Sequence, residues 1–288
     1  VQHLLDEVAA LRQPQIAYGL LRMCAAYTRM SYSTRVTPLG YGDFDDFDSA
    51  VRRTYELLSG HHPTDVEWGR AQISIRRGGL GLRSASHHHA CAWYACVSAC
   101  RSHCELLNAS FTPEDFDVPG TGWKPVAEAA KICAAVSPEG DSAVSSSVPL
   151  PVKQNLLSTR LDDATVKYAL GSTSALTPRQ RAHWRAALLP AAGAWLLAAP
   201  DPFSGHELKP AQMMVLFRRR LGSPIYEAEA PCPLCGVSSD VHGDHAVACA
   251  AGGDRTRRHH RVRECVAAAA ADAFAVLFIL RSLERRGP

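Results

Sequence analysis

Cys232-Pro-Leu-Cys235, followed by His245 and Cys249, is the stretch that decides how the C-terminal part of this chain folds. The spacing C-x2-C-x9-H-x3-C places two thiolates in a tight knuckle, and a following turn and helical turn supply a third thiolate and an imidazole. Three thiolates and one imidazole suit tetrahedral Zn²⁺, and four protein ligands leave no coordination position for water. The pattern therefore predicts a small module folded around a structural zinc ion, with Cys232, Cys235, His245 and Cys249 as its ligands.

Two alternatives at this site concern its histidines. His242 is a competing imidazole, but His245 is better spaced relative to Cys249. The two histidines flank Asp244, which also suggests a hydrolytic metal centre; that chemistry needs an open coordination position, and the cysteines disfavour it. Asp244 is predicted instead to form a turn or to orient an imidazole.

A dense basic segment follows the zinc pattern, with five arginines among the nine residues from 255 to 263. Each arginine can pair with a phosphate, so binding through this segment would depend on salt and little on sequence. The alternative is a solvated basic helix face. Because the segment adjoins the zinc pattern, we predict DNA or RNA as the partner, held through its phosphate backbone by Arg255, Arg257, Arg258, His259, Arg261 and Arg263.

Composition sets the broad class of the protein. Of the 288 residues, 47% are hydrophobic and only 7% aromatic, which favours a mainly α fold. The net charge of +3 is too small for a basic protein as a whole, so any nucleic-acid surface must come from local clustering. Three of the ten cysteines lie in the zinc pattern and no signal peptide is seen, which favours a reducing location in the nucleus or cytoplasm. No apolar run has the length of a membrane span, so we expect no membrane partner.

The distribution of proline, glycine and serine predicts five segments. They are a helical domain at 1–107, a Pro/Gly/Ser-rich linker at 108–150, a helical region at 151–230, the zinc knuckle with its basic segment at 231–263, and an apolar helix at 264–288. Since the chain begins with Val1 and stops just after that apolar run, we expect it to be a piece of a longer protein.

Local patterns predict the ends of several helices. Pro14 divides an N-terminal helix pair, Gly60 ends a helix that begins near Asp43, and Ser84 or Ser86 caps a helix over 86–107. Thr177-Pro-Arg-Gln180 is a capping box with proline at the first helical position. The apolar spacing predicts another helix over 208–221.

Three further patterns have a catalytic or metal-binding interpretation that we consider weaker than the structural one. Asp43, Asp45 and Asp46 could hold two metal ions for phosphoryl transfer, but they also suit an acidic helix start. The glycines of 78–81 could form a phosphate loop, but they lack the lysine and hydroxyl of a P-loop, and a tight turn explains them better. Cysteines 96, 100 and 104 could bind metal, but one helix cannot easily surround an ion, and we expect them to pack in a core.

The order of these motifs resembles the C-terminal part of the reverse-transcriptase-like proteins of non-LTR retrotransposons. The resemblance spans most of the chain through individually weak motifs: Leu20-Leu21-Arg22, Ile75-Arg-Arg-Gly78-Gly79-Leu80-Gly81-Leu82-Arg83-Ser84-Ala85, Gly193-Ala194-Trp195-Leu196, Phe217-Arg-Arg-Arg-Leu221-Gly222, Cys232-Pro-Leu-Cys235-Gly236, Gly243-Asp244-His245 with Cys249, and Arg257-Arg258-His259. The resemblance implies a helical thumb-like bundle, a helical linker, a CCHC zinc knuckle and the start of a restriction-like endonuclease.

The resemblance implies binding without catalysis for this chain. The family's polymerase uses an aromatic-x-Asp-Asp motif, which Phe44-Asp45-Asp46 does not match, since it lies after the segment that resembles the thumb. The endonuclease residues would lie beyond Pro288. We therefore expect a nucleic-acid-binding fragment of a retroelement reverse transcriptase with no catalytic residues of its own. The alternative is a zinc-containing protein-interaction module that does not bind nucleic acid.

Overall fold

Helices make up nearly all regular structure in the part of the chain that the computed structural model describes, and this confirms the predicted mainly α class. The described residues are 1–38, 40, 43–116, 124–137, 144, 151–201, 207–251, 256–257 and 259–267. The chain divides into two units, Val1–Ser223 and Pro224–Pro288. The first unit contains the predicted segments 1–107 and 108–150. It also contains the part of segment 151–230 that ends at Ser223.

The first unit consists of helices joined by short turns. Their bounds are α1 Gln2–Ala9, α2 Pro14–Leu20, α3 Tyr27–Met30, α4 Ser33–Val36, α5 Asp45–Ser59, α6 Asp65–Gln72, α7 Ala85–Leu107, α8 Pro125–Ala135, α9 Gln154–Leu170, α10 Pro178–Ala187 and α11 Pro210–Leu221. A π-helical turn at Leu21–Ala25 extends α2, and 3-10 turns lie at Ile75–Arg77, Pro113–Phe116 and Ala194–Leu197.

Helix ends follow the predicted local signals. Pro14 occupies the first turn of α2, and Gly60 ends α5 in the left-handed conformation with φ +55°. The Ser84 side chain caps α7 by accepting a hydrogen bond from the His87 amide, and Thr177 forms the predicted capping box of α10. Helix α11 begins at residue 210 rather than 208, because Pro210 fits the first helical position and Lys209 takes the extended cap conformation.

One core of the first unit lies among α1, α2, α5, α6 and α11. Its centre is aromatic: the ring centroids of Tyr18 and Phe217 lie 5.2 Å apart, and those of Tyr55 and Phe217 lie 5.7 Å apart, both edge to face. All three rings are at most 1% exposed. On α11, Phe217 is buried whereas its neighbour Leu216 is only partly buried.

A second core joins α7, α8 and α9. Val126, Ala129 and Cys133 of α8 are buried with Leu157 and Leu161 of α9 against the apolar face of α7. The helix within the predicted 108–150 segment is therefore part of a packed core.

The described part of the second unit contains a short hairpin, a short helix and a further helical stretch. Strands β1 (Ala230–Pro231) and β2 (Ser238–Ser239) pair antiparallel, with Ala230 opposite Ser239, and α12 spans Asp244–Ala248. Residues 256–257 and 259–267 are also helical. None of the helices that the structure describes combines the length and the apolar character that a bilayer span requires.

Candidate metal centre

The β1–β2 hairpin shapes the first half of the centre. Directly after β1, the Cys232 amide donates to the Val237 carbonyl at 2.8 Å, and the Gly236 amide donates to the Cys232 carbonyl at 2.8 Å. Gly236 has φ +74°, a conformation in which glycine carries no steric cost, so the chain can reverse immediately after Cys235. This turn brings the two thiols of the C-x2-C pair to the same side of the hairpin.

Asp240 builds the second half of the centre by capping α12. One carboxylate oxygen accepts hydrogen bonds from the amides of His242 (2.9 Å) and Asp244 (3.2 Å), and the other accepts from the His245 amide (2.8 Å). Desolvation raises the pKa of the Asp240 carboxyl, but these backbone amides outweigh it and lower the pKa to about 2. The carboxylate thus fixes the start of the helix that carries His245 and leads into Cys249.

The ligand atoms of Cys232, Cys235, His245 and Cys249 converge at one point. They all lie within 4.8 Å of one another. The Cys232 and Cys249 Sγ atoms are 3.9 Å apart, and Cys235 Sγ lies 3.3 Å from His245 Nε2. The four side chains that the sequence assigned to one ion are thus brought together, and their geometry could hold a metal ion.

The thiols of this cluster differ in acidity. Hydrogen bonds from the Leu234 and Cys235 amides lower the pKa of Cys232 to about 6, because they stabilise its thiolate. A hydrogen bond from the Ala251 backbone lowers the pKa of Cys249, but burial and the neighbouring thiols outweigh it and raise that pKa. Since a metal binds the thiolate form, the lowered pKa of Cys232 favours the form in which it would act as a ligand.

The structure separates the two candidate histidines. His245 contributes its Nε2 atom to the cluster, whereas His242 does not belong to it. Asp244, predicted as a turn former or a partner of an imidazole, lies in the first turn of α12. The role of Asp240 was not predicted from the sequence; the signal that could have indicated it is the preference of aspartate for accepting a hydrogen bond from the amide two residues later, here that of His242.

The basic segment after the centre is helical and open to solvent where it is described. Arg257, His259, Arg261 and Arg263 are all exposed. Arg255 and Arg258 lie outside the described residues.

The acidic cluster at the start of α5 is used to cap helices. Asp48 accepts hydrogen bonds from the amides of Ala85 (2.7 Å) and Ser86 (3.0 Å) at the start of α7, and Asp45 accepts one from the Ser86 hydroxyl (2.6 Å). Asp43 accepts the Asp45 amide at 2.9 Å. These contacts favour the interpretation as a helix start. Within the described ranges, Asp43, Asp45 and Asp46 do not form a group that could hold a metal ion.

The cysteine stripe of α7 is not the core feature that the sequence predicted. Cys100 is exposed, and Cys96 and Cys104 are only partly buried. The core face of α7 instead includes Cys91, which is 0% exposed. Among the described residues, the stripe does not form a metal-binding group with other side chains.

A buried serine, histidine and aspartate lie together in the first unit. His88 Nδ1 is 3.1 Å from Ser158 Oγ, and His88 Nε2 is 3.8 Å from an Asp162 oxygen. The residue types are those of a hydrolase triad, but Ser158 is 1% exposed and both partners are 2% exposed. Asp162 also accepts hydrogen bonds from the Ser74 amide (3.2 Å) and from Arg83 (3.1 Å). We therefore conclude that this group has a structural role and holds α7, α9 and the 73–84 loop together.

Comparison with protein-family models, with curated proteins and with solved structures gives no match for this chain.

Proposed function

We propose that the chain is a nucleic-acid-binding part of a retroelement reverse-transcriptase-like protein, in which a zinc ion folds the second unit and exposed arginines bind phosphates. The observation that carries this proposal is the convergence of three thiols and one imidazole in the unit whose next helix displays Arg257, Arg261 and Arg263 to solvent. We propose no catalytic residue in this chain.

The choice of zinc rests on the ligand types and their separations. Zn–S and Zn–N bonds of about 2.3 and 2.0 Å imply tetrahedral edges of about 3.8 Å between sulfurs and about 3.5 Å between sulfur and nitrogen. The observed separations are 3.9 Å for Cys232–Cys249 and 3.3 Å for Cys235–His245. Four protein ligands fill a tetrahedral shell, so the ion would stabilise the fold and leave no position for a substrate.

Mutation of the cluster tests the metal assignment. Metal analysis of the purified chain should give about one zinc per molecule, and Cys232→Ser should lower that content with loss of structure in the second unit. The exposed Cys24→Ser variant is the matched control, since Cys24 lies in the first unit. Equal zinc contents in both variants would contradict the assignment.

The phosphate-binding role rests on the exposure and spacing of the arginines. Arg257 and Arg261 are four residues apart, as are His259 and Arg263, so each pair lies along one side of the helix. Guanidinium groups pair with phosphate oxygens through two parallel hydrogen bonds. A helix that carries such groups toward solvent can follow a phosphate backbone without contacting base edges.

Binding to nucleic acid as a function of salt tests this role. The triple variant Arg257→Ala, Arg261→Ala, Arg263→Ala should bind a labelled oligonucleotide at least tenfold more weakly. The slope of its log affinity against log salt should fall by about 0.9 for each phosphate that the variant no longer neutralises. The matched control is Arg12→Ala, Arg29→Ala, Arg53→Ala, which removes the same charge from exposed positions of the first unit. Affinity that responds neither to salt nor to the first triple variant would refute the role.

A cavity in the second unit favours a second candidate function, the docking of a protein partner. Its volume is about 460 Å³, and its lining is mostly apolar, with Tyr226 and Leu234 about half exposed. The stretch from 224 to 251 holds no lysine or arginine, whereas it holds four acidic residues. Such a surface suits an apolar protein segment better than a phosphate backbone. This function predicts partner binding that persists at high salt and weakens in Leu234→Ser.

The link to retroelements rests on the order of the sequence motifs together with a helical first unit and a cysteine and histidine cluster after it. It is tested by the coding sequence on both sides of this segment. An aromatic-x-Asp-Asp polymerase motif upstream and a nuclease carboxylate and lysine set downstream are expected. An unrelated continuation on both sides would overturn the link and leave the binding tests unaffected.

A further inference from the structure

A groove in the first unit lies between the end of α8 and the second half of α9. Its volume is about 620 Å³, which lies within the range of pockets that bind small molecules. The side chains that matter for its chemistry are Ser137, Arg160, Asp163, Lys167 and Tyr168. This groove belongs to Val1–Ser223, whereas the metal centre and the basic helix belong to the other unit.

Among the described lining residues of the groove, the charged ones are Arg160, Lys167 and Asp163. Asp163 is its acidic lining residue, and Arg77 binds this carboxylate through two nitrogens, one of them Nη2 at 3.0 Å from Oδ2. The positive charge of the Arg77 guanidinium therefore neutralises the Asp163 carboxylate. Arg160 is held in place by a hydrogen bond from Nη1 to Ser137 Oγ at 3.0 Å, and Lys167 is exposed one helical turn after Asp163. Two cationic groups thus lie beside a neutralised carboxylate, which suits an anionic ligand.

An aromatic ring stands beside these cations. Tyr168 lines the groove, yet it is 75% exposed, although the apolar spacing of α9 would place it on the same face as the buried Leu157 and Leu161. Burial of this ring against the protein therefore does not explain its position. An exposed aromatic ring next to phosphate-binding cations is the arrangement by which proteins hold single-stranded nucleic acid, with a base stacked on the ring.

We propose that the groove between α8 and α9 binds a segment of single-stranded nucleic acid, with Arg160 and Lys167 contacting phosphates and Tyr168 stacking on a base. A duplex does not offer this contact, because its bases are stacked on each other and are unavailable to a side-chain ring. The proposal rests on the proposed nucleic-acid function and assigns part of the binding to the first unit.

Binding of the full chain to matched oligonucleotides tests the proposal. The probes are labelled oligothymidylate and oligouridylate of about twelve nucleotides, within the range of known single-strand sites, with a duplex of equal length and a single strand of equal length that lacks bases. Tyr168→Ala should weaken binding of the base-containing single strands about tenfold, with binding of the duplex and of the abasic strand unchanged. Lys167→Glu should weaken binding of every single strand, including the abasic one, because its contact is to phosphate.

Matched substitutions control for exposure and charge. Tyr32→Ala removes a ring that is 74% exposed elsewhere in the first unit, and Arg53→Glu changes the charge of an exposed position by the same amount as Lys167→Glu. Tyr168→Trp should retain the affinity, since it keeps a stacking ring. A difference between the affinities for oligothymidylate and oligouridylate would identify whether the groove prefers DNA or RNA.

The outcomes separate this proposal from the proposed function. If the arginine triple variant of the second unit loses affinity while Tyr168→Ala and Lys167→Glu match their controls, the groove proposal is wrong and the proposed function stands. If only the groove variants lose affinity, the basic helix is not the binding surface and the groove is. An equal loss for abasic and base-containing strands in Tyr168→Ala overturns the stacking role, and a wild-type chain that binds no probe overturns both.

Discussion

At the scale of single residues, two buried arginines stabilise the glycine-containing turn of the first unit. Arg220 donates hydrogen bonds to the carbonyls of Ile75 (2.7 Å), Gly79 (3.3 Å) and Ala192 (3.3 Å). Arg70 donates to Gly78 and to Leu221, the last residue of α11, where the helix dipole favours a cation. Burial lowers the pKa of Arg70 to about 9, and the positive charge of Arg220 contributes to this shift. In the described ranges no carboxylate forms a salt bridge with either arginine. Backbone carbonyls solvate the charge of Arg220, and Arg70 also contacts the rings of His183 and Trp184.

The Arg220→Met substitution tests this role. It removes the donors for two carbonyls of the loop and for that of Ala192, and leaving buried acceptors unpaired costs about 3 kcal/mol in the free energy of unfolding. Urea denaturation followed by tryptophan fluorescence measures the change in the first unit, because all tryptophans precede residue 224. Arg53→Met, at an exposed position of α5, should change stability by less than about 0.5 kcal/mol. A similar effect for both variants would contradict the role.

A second prediction at this scale concerns Asp240. Replacing Asp240 with Ala removes the acceptor for the amides of His242, Asp244 and His245, so the start of α12 loses the contacts that position the His245 ring. We expect metal affinity to fall by about tenfold to a hundredfold, the range seen when residues that support a ligand are removed. Competition with a chromophoric chelator measures the affinity. The Glu227→Ala variant serves as the control, and an unchanged affinity in Asp240→Ala would show that the cap does not support the ligand.

At the scale of elements, the 73–84 loop between α6 and α7 requires glycine at position 79. A Cβ atom there would lie 2.2 Å from the Ile73 carbonyl oxygen and 2.5 Å from that of Arg70, and both are backbone atoms that cannot move aside cheaply. Gly79→Ala should therefore destabilise the first unit by about 3 kcal/mol or prevent its folding. In contrast, a Cβ at Gly69 within α6 meets nothing within 4 Å, so Gly69→Ala should stabilise by about 0.5–1 kcal/mol. Thermal unfolding of the two variants distinguishes these opposite signs.

Features that depend on neighbouring residues in the chain could be predicted, and features that depend on tertiary packing could not. Ser84 and Thr177 cap helices through bonds to amides three residues later, so their sequence contexts suffice. The prediction that the cysteines of α7 pack in the core was wrong, because the face that α8 and α9 cover carries Cys91 instead. The position of Arg220 in the last turn of α11 suits the helix dipole, but its contact with a loop more than 140 residues earlier in the chain depends on tertiary packing.

The candidate metal centre was largely predictable for the same reason. All four ligands lie within 18 residues, and the order of a hairpin and a short helix is enough to bring them together. Asp240 was missed because the spacing pattern identifies ligands and not the group that holds their helix. The groove between α8 and α9 could not be predicted, since its residues lie on elements separated by a segment that carried a linker composition.

At the scale of the whole molecule, the division into two units predicts two separate responses to metal removal. The four ligands all lie in Pro224–Pro288, whereas both apolar cores lie in Val1–Ser223. A chelator should therefore unfold the second unit. The free energy of unfolding of the first unit, followed by tryptophan fluorescence, should stay within about 0.5 kcal/mol of its value with metal. Hydrogen exchange with and without chelator measures both units at once. Loss of protection in α5 or α7 on chelation would refute this independence.

Acid should destabilise the first unit through its buried histidines. Burial lowers the pKa of His61 and His89 below 6.5, and that of His88 well below it; the positive charge of Arg83 adds to the shift at His88. The folded unit keeps these rings neutral, while the unfolded chain takes up their protons near pH 6.5. The contribution of the neutral rings to the free energy of unfolding is thus fully present above pH 6.5. It is lost as the pH falls toward the pKa values of these rings in the folded unit. His88 alone contributes a slope of about 1.4 kcal/mol per pH unit in this range.

The His88→Gln variant isolates this contribution. Glutamine keeps a polar group near Ser158 but does not titrate, so the pH dependence of unfolding between pH 6.5 and 5 should become shallower by about 1.4 kcal/mol per pH unit even if the variant is less stable at neutral pH. His103 is exposed on the same helix, and His103→Gln should leave the slope unchanged. Urea midpoints followed by tryptophan fluorescence across this pH range give the slope for the first unit separately from metal loss in the second. A wild-type slope that is flat below pH 6.5, or one that His88→Gln does not alter, would mean that His88 is protonated in the folded unit and forms an ion pair with Asp162, which lies 3.8 Å away.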